Sequence, residues 1–219
     1  MIEIEVLDDA ATAAARAAEE VAARARAAVA DHGRFTFAVS GGTTPLAMFA
    51  ELGKHDVPWD RVAIHQVDER VAPAGDTDRN LTHLVRSLPP DGVAVVLPMP
   101  VEDADLEAAA GRYAATLPER FDLVHLGLGP DGHTASLVPD DPVLGVTDRD
   151  VALTEPYQGR QRMTMTYPVL DRAELVLWLV AGEEKADALA RLRAGDASVP
   201  AGRVRAGAQL VVCDRAAAG

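Results

Sequence analysis

The strongest constraint on what this chain can fold into is an alternation. Short apolar runs at 35–39, 62–67, 93–97, 121–127, 175–180 and 210–213 are separated by stretches with helix punctuation at 46–52, 78–87, 103–116 and 183–193. A further such stretch, 10–31, precedes them all; it is rich in Ala and Arg, opens on Asp8-Asp9 and closes on Gly33. Carboxylates before a helix and a glycine just past it are start and stop signals. Thr44 suits an N-cap and Pro45 the first helical position, which predicts a helix over 46–52. Two further short runs, 151–154 and 163–167, read as strands in a less regular second half. Strands alternating with helices predict an α/β fold: a three-layer, Rossmann-like, mostly parallel sheet with helices on both faces. In such sheets ligands bind beyond the carboxyl ends of the strands. Ser40, Asp68 and Gly127 occupy those ends.

Composition narrows the core and the partners. Hydrophobic residues make up 48% of the 219 residues but aromatics only 4%, so the core must be built mainly from Ala, Val and Leu. The formal net charge of -13 argues against broad nucleic-acid or anionic-membrane surfaces. It leaves room for a small anionic ligand, provided a few Arg and Lys side chains are held together. The lone cysteine, Cys213, sits in an apolar run and reads as a buried thiol. No basic leader with an apolar centre is visible, and no apolar run approaches the roughly 20 residues that span a bilayer. The expectation is a cytoplasmic protein. No linker or composition shift divides the chain, so one domain over 1–219 is expected, as a monomer or weak homodimer.

Three segments and a few isolated cations carry chemistry. Ser40-Gly41-Gly42-Thr43 precedes a predicted helix, so its amides can form an anion nest, or simply a strand-to-helix turn. Asp68-Glu69-Arg70 follows a strand, either as a solvated loop end or with Arg70 on a substrate anion and Asp68 in orientation or acid-base work. Gly127-Leu128-Gly129-Pro130-Asp131-Gly132 matches the dinucleotide fingerprint in form only. Asp131 would set a negative charge beside a pyrophosphate, and Pro130 removes an amide that should bind it. The segment instead offers His133 as a base, with Asp131 or Asp68 as its carboxylate partner. His32, His55 and His83 lack such company and read as structural or surface residues. Arg160, Arg162 and Lys185 are further candidates for anion contacts. Lys185 opens a predicted helix, against the helix dipole, which hints at a role other than stability. Metal-ligand spacing is absent from the sequence.

Taken in order, Ser40-Gly41-Gly42-Thr43-Thr44-Pro45, Asp68-Glu69-Arg70-Val71, Asn80, Gly127-x-Gly129-x-Asp131-Gly132-His133-Thr134-Ala135-Ser136-Leu137, Arg162-x-Thr164 and Gly182-x-x-Lys185 resemble the 6-phosphogluconolactonase family. The resemblance implies hydrolysis of 6-phospho-D-glucono-1,5-lactone to 6-phosphogluconate in the oxidative pentose phosphate pathway, without cofactor or catalytic metal. It implies catalytic roles for His133, Asp131 and Asp68. Ser40, Gly41, Gly42, Thr43, Arg70, Arg162 and Lys185 would hold the phosphate or sugar hydroxyls. The related glucosamine-6-phosphate deaminases share the Asp-Gly-His core but continue as Ile-Ala-Phe-Asn-Glu-Pro, where this chain has Thr134-Ala135-Ser136-Leu137-Val138-Pro139. Val138, Asp140 and residues 157–161 depart from the lactonase pattern as well. Three rival readings are a deaminase-isomerase, a non-catalytic sugar-phosphate sensor and a dinucleotide-dependent oxidoreductase. The sensor would need a DNA-binding module that the short N-terminal segment and the acidic charge do not supply.

Overall fold

The computed structural model describes residues 2–88 and 95–219. Ten strands run in chain order: β1 (Ile2–Leu7), β2 (Phe35–Val39), β3 (Val62–Gln66), β4 (Asp68–Arg70), β5 (Val95–Leu97), β6 (Leu123–Leu126), β7 (Val151–Leu153), β8 (Arg162–Met165), β9 (Val176–Val180) and β10 (Gln209–Asp214). The helices are α1 (Ala10–His32), α2 (Thr43–Leu52), α3 (Asn80–Ser87), α4 (Leu106–Ala114), α5 (Tyr167–Asp171), α6 (Ala186–Ala194) and α7 (Arg215–Ala218). The predicted strand over 93–97 begins at two positions that lie outside the described residues.

Seven strands form one sheet in the order β1-β10-β9-β6-β2-β3-β5, and every neighbouring pair in it is parallel. The period of two in the strands explains the layers. Along β9, Val176, Trp178 and Val180 enter one apolar core, while Leu177 and Leu179 enter the other. In β10, Val211 and Cys213 alternate in the same way with Leu210 and Val212. One core lies under α1, α2 and α3, the other under α4, α5, α6 and α7. Helix α1 packs through Ala13, Ala14, Ala17, Ala18, Val21, Ala22 and Ala25. Small side chains there let helix and sheet approach closely, which is how a core poor in aromatics fills its space. Its start is a capping box, with the Thr12 amide donating to Asp9 Oδ1 at 2.8 Å and the Asp9 amide to Thr12 Oγ1 at 3.1 Å.

Four expectations need correction. Strands over 151–154 and 163–167 do not join the parallel sheet. As β7 and β8 they pair antiparallel with each other, and β8 pairs antiparallel with β4, in a separate sheet, β4-β8-β7. The segment Asp68-Glu69-Arg70 is therefore strand, not loop end, and its acids are buried. Helix α2 begins at Thr43, with Gly42 rather than Thr44 at the N-cap. Gly42 has φ 114, a left-handed conformation open to glycine, and this lets the chain turn into helix early. Pro45 then falls in the first turn, where a missing N–H is tolerated. Finally, the predicted helix 183–193 splits into a 3-10 turn, Glu183–Lys185, followed by α6.

Candidate active site

The site is made by chain segments that leave the carboxyl ends of β2, β3, β6 and β9. Val67 is the pivot between the two sheets. Its amide donates to Val39 O at 2.9 Å, and its carbonyl accepts from the Met165 amide at 2.8 Å. The chain is thereby handed from the large sheet to the small one, and Asp68 to Arg70 swing across the strand ends. With the Ser40-Gly41-Gly42 turn, the Gly127 to Ala135 loop and Lys185, they enclose a cavity of about 220 Å³.

Of the residues predicted for the site, Ser40, Gly41, Gly42, Asp68, Arg70, His133, Arg162 and Lys185 all line this cavity. Thr43 is the first residue of α2. Asp131 stands directly behind His133. Its Oδ1 lies 2.6 Å from His133 Nδ1 and accepts from the His133 amide at 3.2 Å. Nδ1 is thus engaged, while Nε2 makes no hydrogen bond among the described residues and is the nitrogen free for a ligand. The sequence left Asp131 and Asp68 open as partners of His133; the contact is to Asp131. Burial pushes the Asp131 carboxyl up, but the His133 amide, the His133 imidazole and the Tyr157 hydroxyl outweigh it, so the acid stays ionised below the usual carboxylate range.

The Gly127 to Ser136 segment reaches this geometry through turns rather than a helix. The Gly129 amide donates to His133 O and the Gly132 amide to Gly129 O. A Cβ on Gly129 would overlap the His133 ring, so the glycine makes room for the imidazole. No α-helix follows β6 before α5. A dinucleotide fingerprint needs a helix opening on its last glycine, and that architecture is missing here.

Asp68 belongs to a second cluster. Its Oδ2 accepts from Ser136 Oγ at 2.6 Å, and its Oδ1 accepts from Asn80 Nδ2 at 3.1 Å. Burial raises its carboxyl above the ordinary range, against the Ser136 hydrogen bond and the charges of Arg70 and Arg162. Asn80 Oδ1 in turn accepts from Arg70 Nη1 at 2.8 Å. A Cβ on Gly41 would strike that same carboxamide. The Nε–H groups of Arg70 and Arg162 are buried without a hydrogen-bond partner among the described residues. Lys185 has its nearest acid, Glu184, at 3.8 Å.

Arg160 is placed differently from the other cations. It pairs at the rim with Asp76 and Asp78, at 3.2 and 3.0 Å, and is not part of the cavity wall. Two nearby acids already satisfy it. Sequence reasoning assigned no role to Ser136 or Tyr157. Ser136 was legible as a hydroxyl in the glycine-rich segment, but its bond to Asp68 joins positions 68 residues apart. His32 pairs with Asp122 and His83 with Thr77 O, both away from the cavity. Among the described residues no group of three or more His, Cys, Asp or Glu is arranged to hold a metal ion, and no helix is long and apolar enough to cross a membrane.

A histidine and three cations gathered beyond the strand ends of a parallel sheet, with Arg70 and Arg162 supplied by the small antiparallel sheet, make the anion-receptive cleft of an α/β enzyme. The chain belongs to the glucosamine-6-phosphate isomerase/6-phosphogluconolactonase family, whose model matches residues 8–213. It is 36% identical over 191 residues to a 6-phosphogluconolactonase of Synechocystis, covering 81% of this chain and 79% of that one. The crystal structure of 6-phosphogluconolactonase from Thermotoga maritima superposes with a TM-score of 0.86 at 26% identity, covering 98% of this chain and 99% of that one. A monomeric glucosamine-6-phosphate deaminase shares the fold, with a TM-score of 0.84 at 16% identity over 99% of this chain and 98% of that one.

Proposed function

We propose that this protein hydrolyses 6-phospho-D-glucono-1,5-lactone to 6-phosphogluconate, with His133 as the general base. The observation that carries the reading is the His133–Asp131 pair, at 2.6 Å, set in the wall of a cavity that Arg70, Arg162 and Lys185 also line. Water needs a base to attack the lactone carbonyl, and a substrate with a distal phosphate needs cations to hold it. His133 Nε2 takes a proton from the water as its oxygen bonds to C1. The C1–ring-oxygen bond then breaks, and the imidazolium returns the proton to the departing ring oxygen. Asp131 keeps the Nδ1–H tautomer in place and stabilises the imidazolium. The amides around Gly41 and Gly42, together with the three cations, bind the phosphate and sugar hydroxyls, and this anchoring fixes C1 against the water. Asp68, held by Ser136 and Asn80, sets the positions of Arg70 and Arg162.

The shared fold does not separate a lactonase from a deaminase, so the residues after His133 must. Where the deaminase pattern has a glutamate, this chain has Val138, a buried side chain with no acid to offer. That supports lactone hydrolysis. The test is a coupled assay on freshly generated lactone, read against a no-enzyme baseline, with ammonia release from glucosamine 6-phosphate as the control. Lactone turnover without ammonia is expected. His133→Ala should lower kcat by about 10²- to 10⁴-fold, and near-wild-type turnover in that variant would rule His133 out as the base.

A further inference from the structure

The turn over 157–160 departs from the family pattern and touches the site from outside the cavity wall. It is a two-residue hairpin: the Tyr157 amide donates to Arg160 O at 2.9 Å, and the Arg160 amide donates to Tyr157 O at 3.3 Å. Its central residues, Gln158 and Gly159, have φ 52 and φ 80. Glycine adopts that conformation freely, but glutamine does so at a cost of about 1 kcal/mol. The strain at Gln158 has a local return, because its Oε1 accepts from Arg162 Nη2 at 3.2 Å. Arg160 ties the other side of the turn to Asp76 and Asp78. The turn is therefore fixed at both ends, and the ring of Tyr157 is fixed with it.

That ring meets two functional groups. It stands edge-on to the His133 imidazole, with centroids 5.8 Å apart. The Arg162 guanidinium carbon lies over its face, 4.9 Å from the centroid. The hydroxyl donates to Asp131 Oδ2 at 3.1 Å. Asp131 Oδ1 is already engaged by His133. Both carboxylate oxygens are thus occupied and the carboxylate cannot rotate away from the imidazole.

We propose that Tyr157 is a positioning residue: its hydroxyl holds Asp131 against His133 and draws carboxylate charge away from the imidazole, weakening the hold of the pair on a proton. A general base must be neutral at the working pH, and an unshared carboxylate beside a histidine favours the charged ring. The hydroxyl of Tyr157 opposes that. Burial and the adjacent Asp131 raise its phenol above the ordinary range, so it remains a donor wherever the enzyme is assayed. The other charged groups that share the cavity with His133 are Asp68, Arg70, Arg162 and Lys185. Tyr157→Phe leaves all of them in place and keeps the ring beneath Arg162.

This inference rests on His133 being the base, and its test reads the histidine directly. The His133 imidazole is titrated by NMR in the free wild-type protein, in Tyr157→Phe, in Asp131→Asn and in the double variant. The expected result is a His133 midpoint that moves upward in Tyr157→Phe, with no further change when the hydroxyl is removed from Asp131→Asn. The acidic limb of kcat/KM should move upward with the midpoint in Tyr157→Phe, while KM changes little. An unmoved midpoint, or an equal shift with and without the Asp131 carboxylate, overturns the proposal. Failure of the base assignment shows elsewhere, as turnover surviving His133→Ala, and is told apart because the titration needs no activity.

Discussion

At the residue scale, the site depends on which atoms are absent as much as on which are present. Gly129 has no unusual backbone conformation, yet a Cβ on it would occupy the place of the His133 ring. That Cβ would also come within 2.7 Å of Asp131 Oδ1, but both groups are side-chain ends beside a cavity, so the Asp131–His133 pair can be displaced together without moving the backbone. If His133 is the base proposed above, Gly129→Ala should therefore lower kcat by about 10²- to 10⁴-fold, while stability changes by less than about 1 kcal/mol. Steady-state kinetics beside a thermal melt separate the two effects. A variant that keeps full turnover would show that the imidazole works from another position. Asp131 and Asp68 illustrate the same dependence on surroundings: donors hold the first below the carboxylate range, and burial lifts the second above it.

At the element scale, α3 shows how a buried charge can hold a helix and a site together. The helix has no side-chain cap of its own. Its first amides, those of Asn80 and Leu81, instead donate to the Glu69 carboxylate at 2.8 and 2.9 Å. The same carboxylate accepts from Gln66 Nε2 and from the Arg70 amide, and lies 3.0 Å from Arg79 Nε, with both members of the ion pair buried. Glu69→Ala would leave Arg79 with only the exposed Glu102 as a charged partner and would free the start of α3. A loss of about 3 kcal/mol in chemical denaturation is expected, with a fall in kcat/KM because Asn80 no longer fixes Arg70. A loss below about 1 kcal/mol would contradict this account. The same cluster marks the limit of what the sequence disclosed. Strands β2, β9 and β10 were legible because their apolar runs are local and continuous. Strand β4 was not, because Asp-Glu-Arg reads as solvated surface until its partners from α3 and β8 are known. Strand β1 shows Ile2, Ile4 and Val6 alternating with Glu3 and Glu5, but its partner, β10, lies at the other end of the chain. In the site, the Asp131–His133 contact is local and the motif pointed toward it. The Ser136–Asp68 bond and the Tyr157 contact link distant segments that no local pattern connects.

At the scale of the whole molecule, the sheet carries two buried imidazoles that the chemistry does not use. His65 in β3 and His125 in β6 are 2% and 0% exposed. Neither ring nitrogen of His125 has a hydrogen-bond partner among the described residues. His65 stands edge-on to Tyr113 and Phe121. Burial lowers both from the usual 6.5 to about 4. Between those values the unfolded chain takes up protons that the folded protein refuses. Stability is then complete above pH 6.5 and falls as the pH drops toward 4, by up to about 3 kcal/mol for each imidazole. Asp68 acts in the opposite sense, because its raised carboxyl binds a proton more readily when folded, so the total curve mixes signs. The difference between wild type and His125→Leu isolates one imidazole. Urea titrations from pH 7.5 to 4.5 should show the gap between the two proteins shifting in favour of the variant as the pH falls, with unchanged m-values. A gap that stays constant across that range would mean that His125 is protonated or hydrated inside the sheet. The neutral, dry layer between β6 and the helices over it would then have to be redrawn.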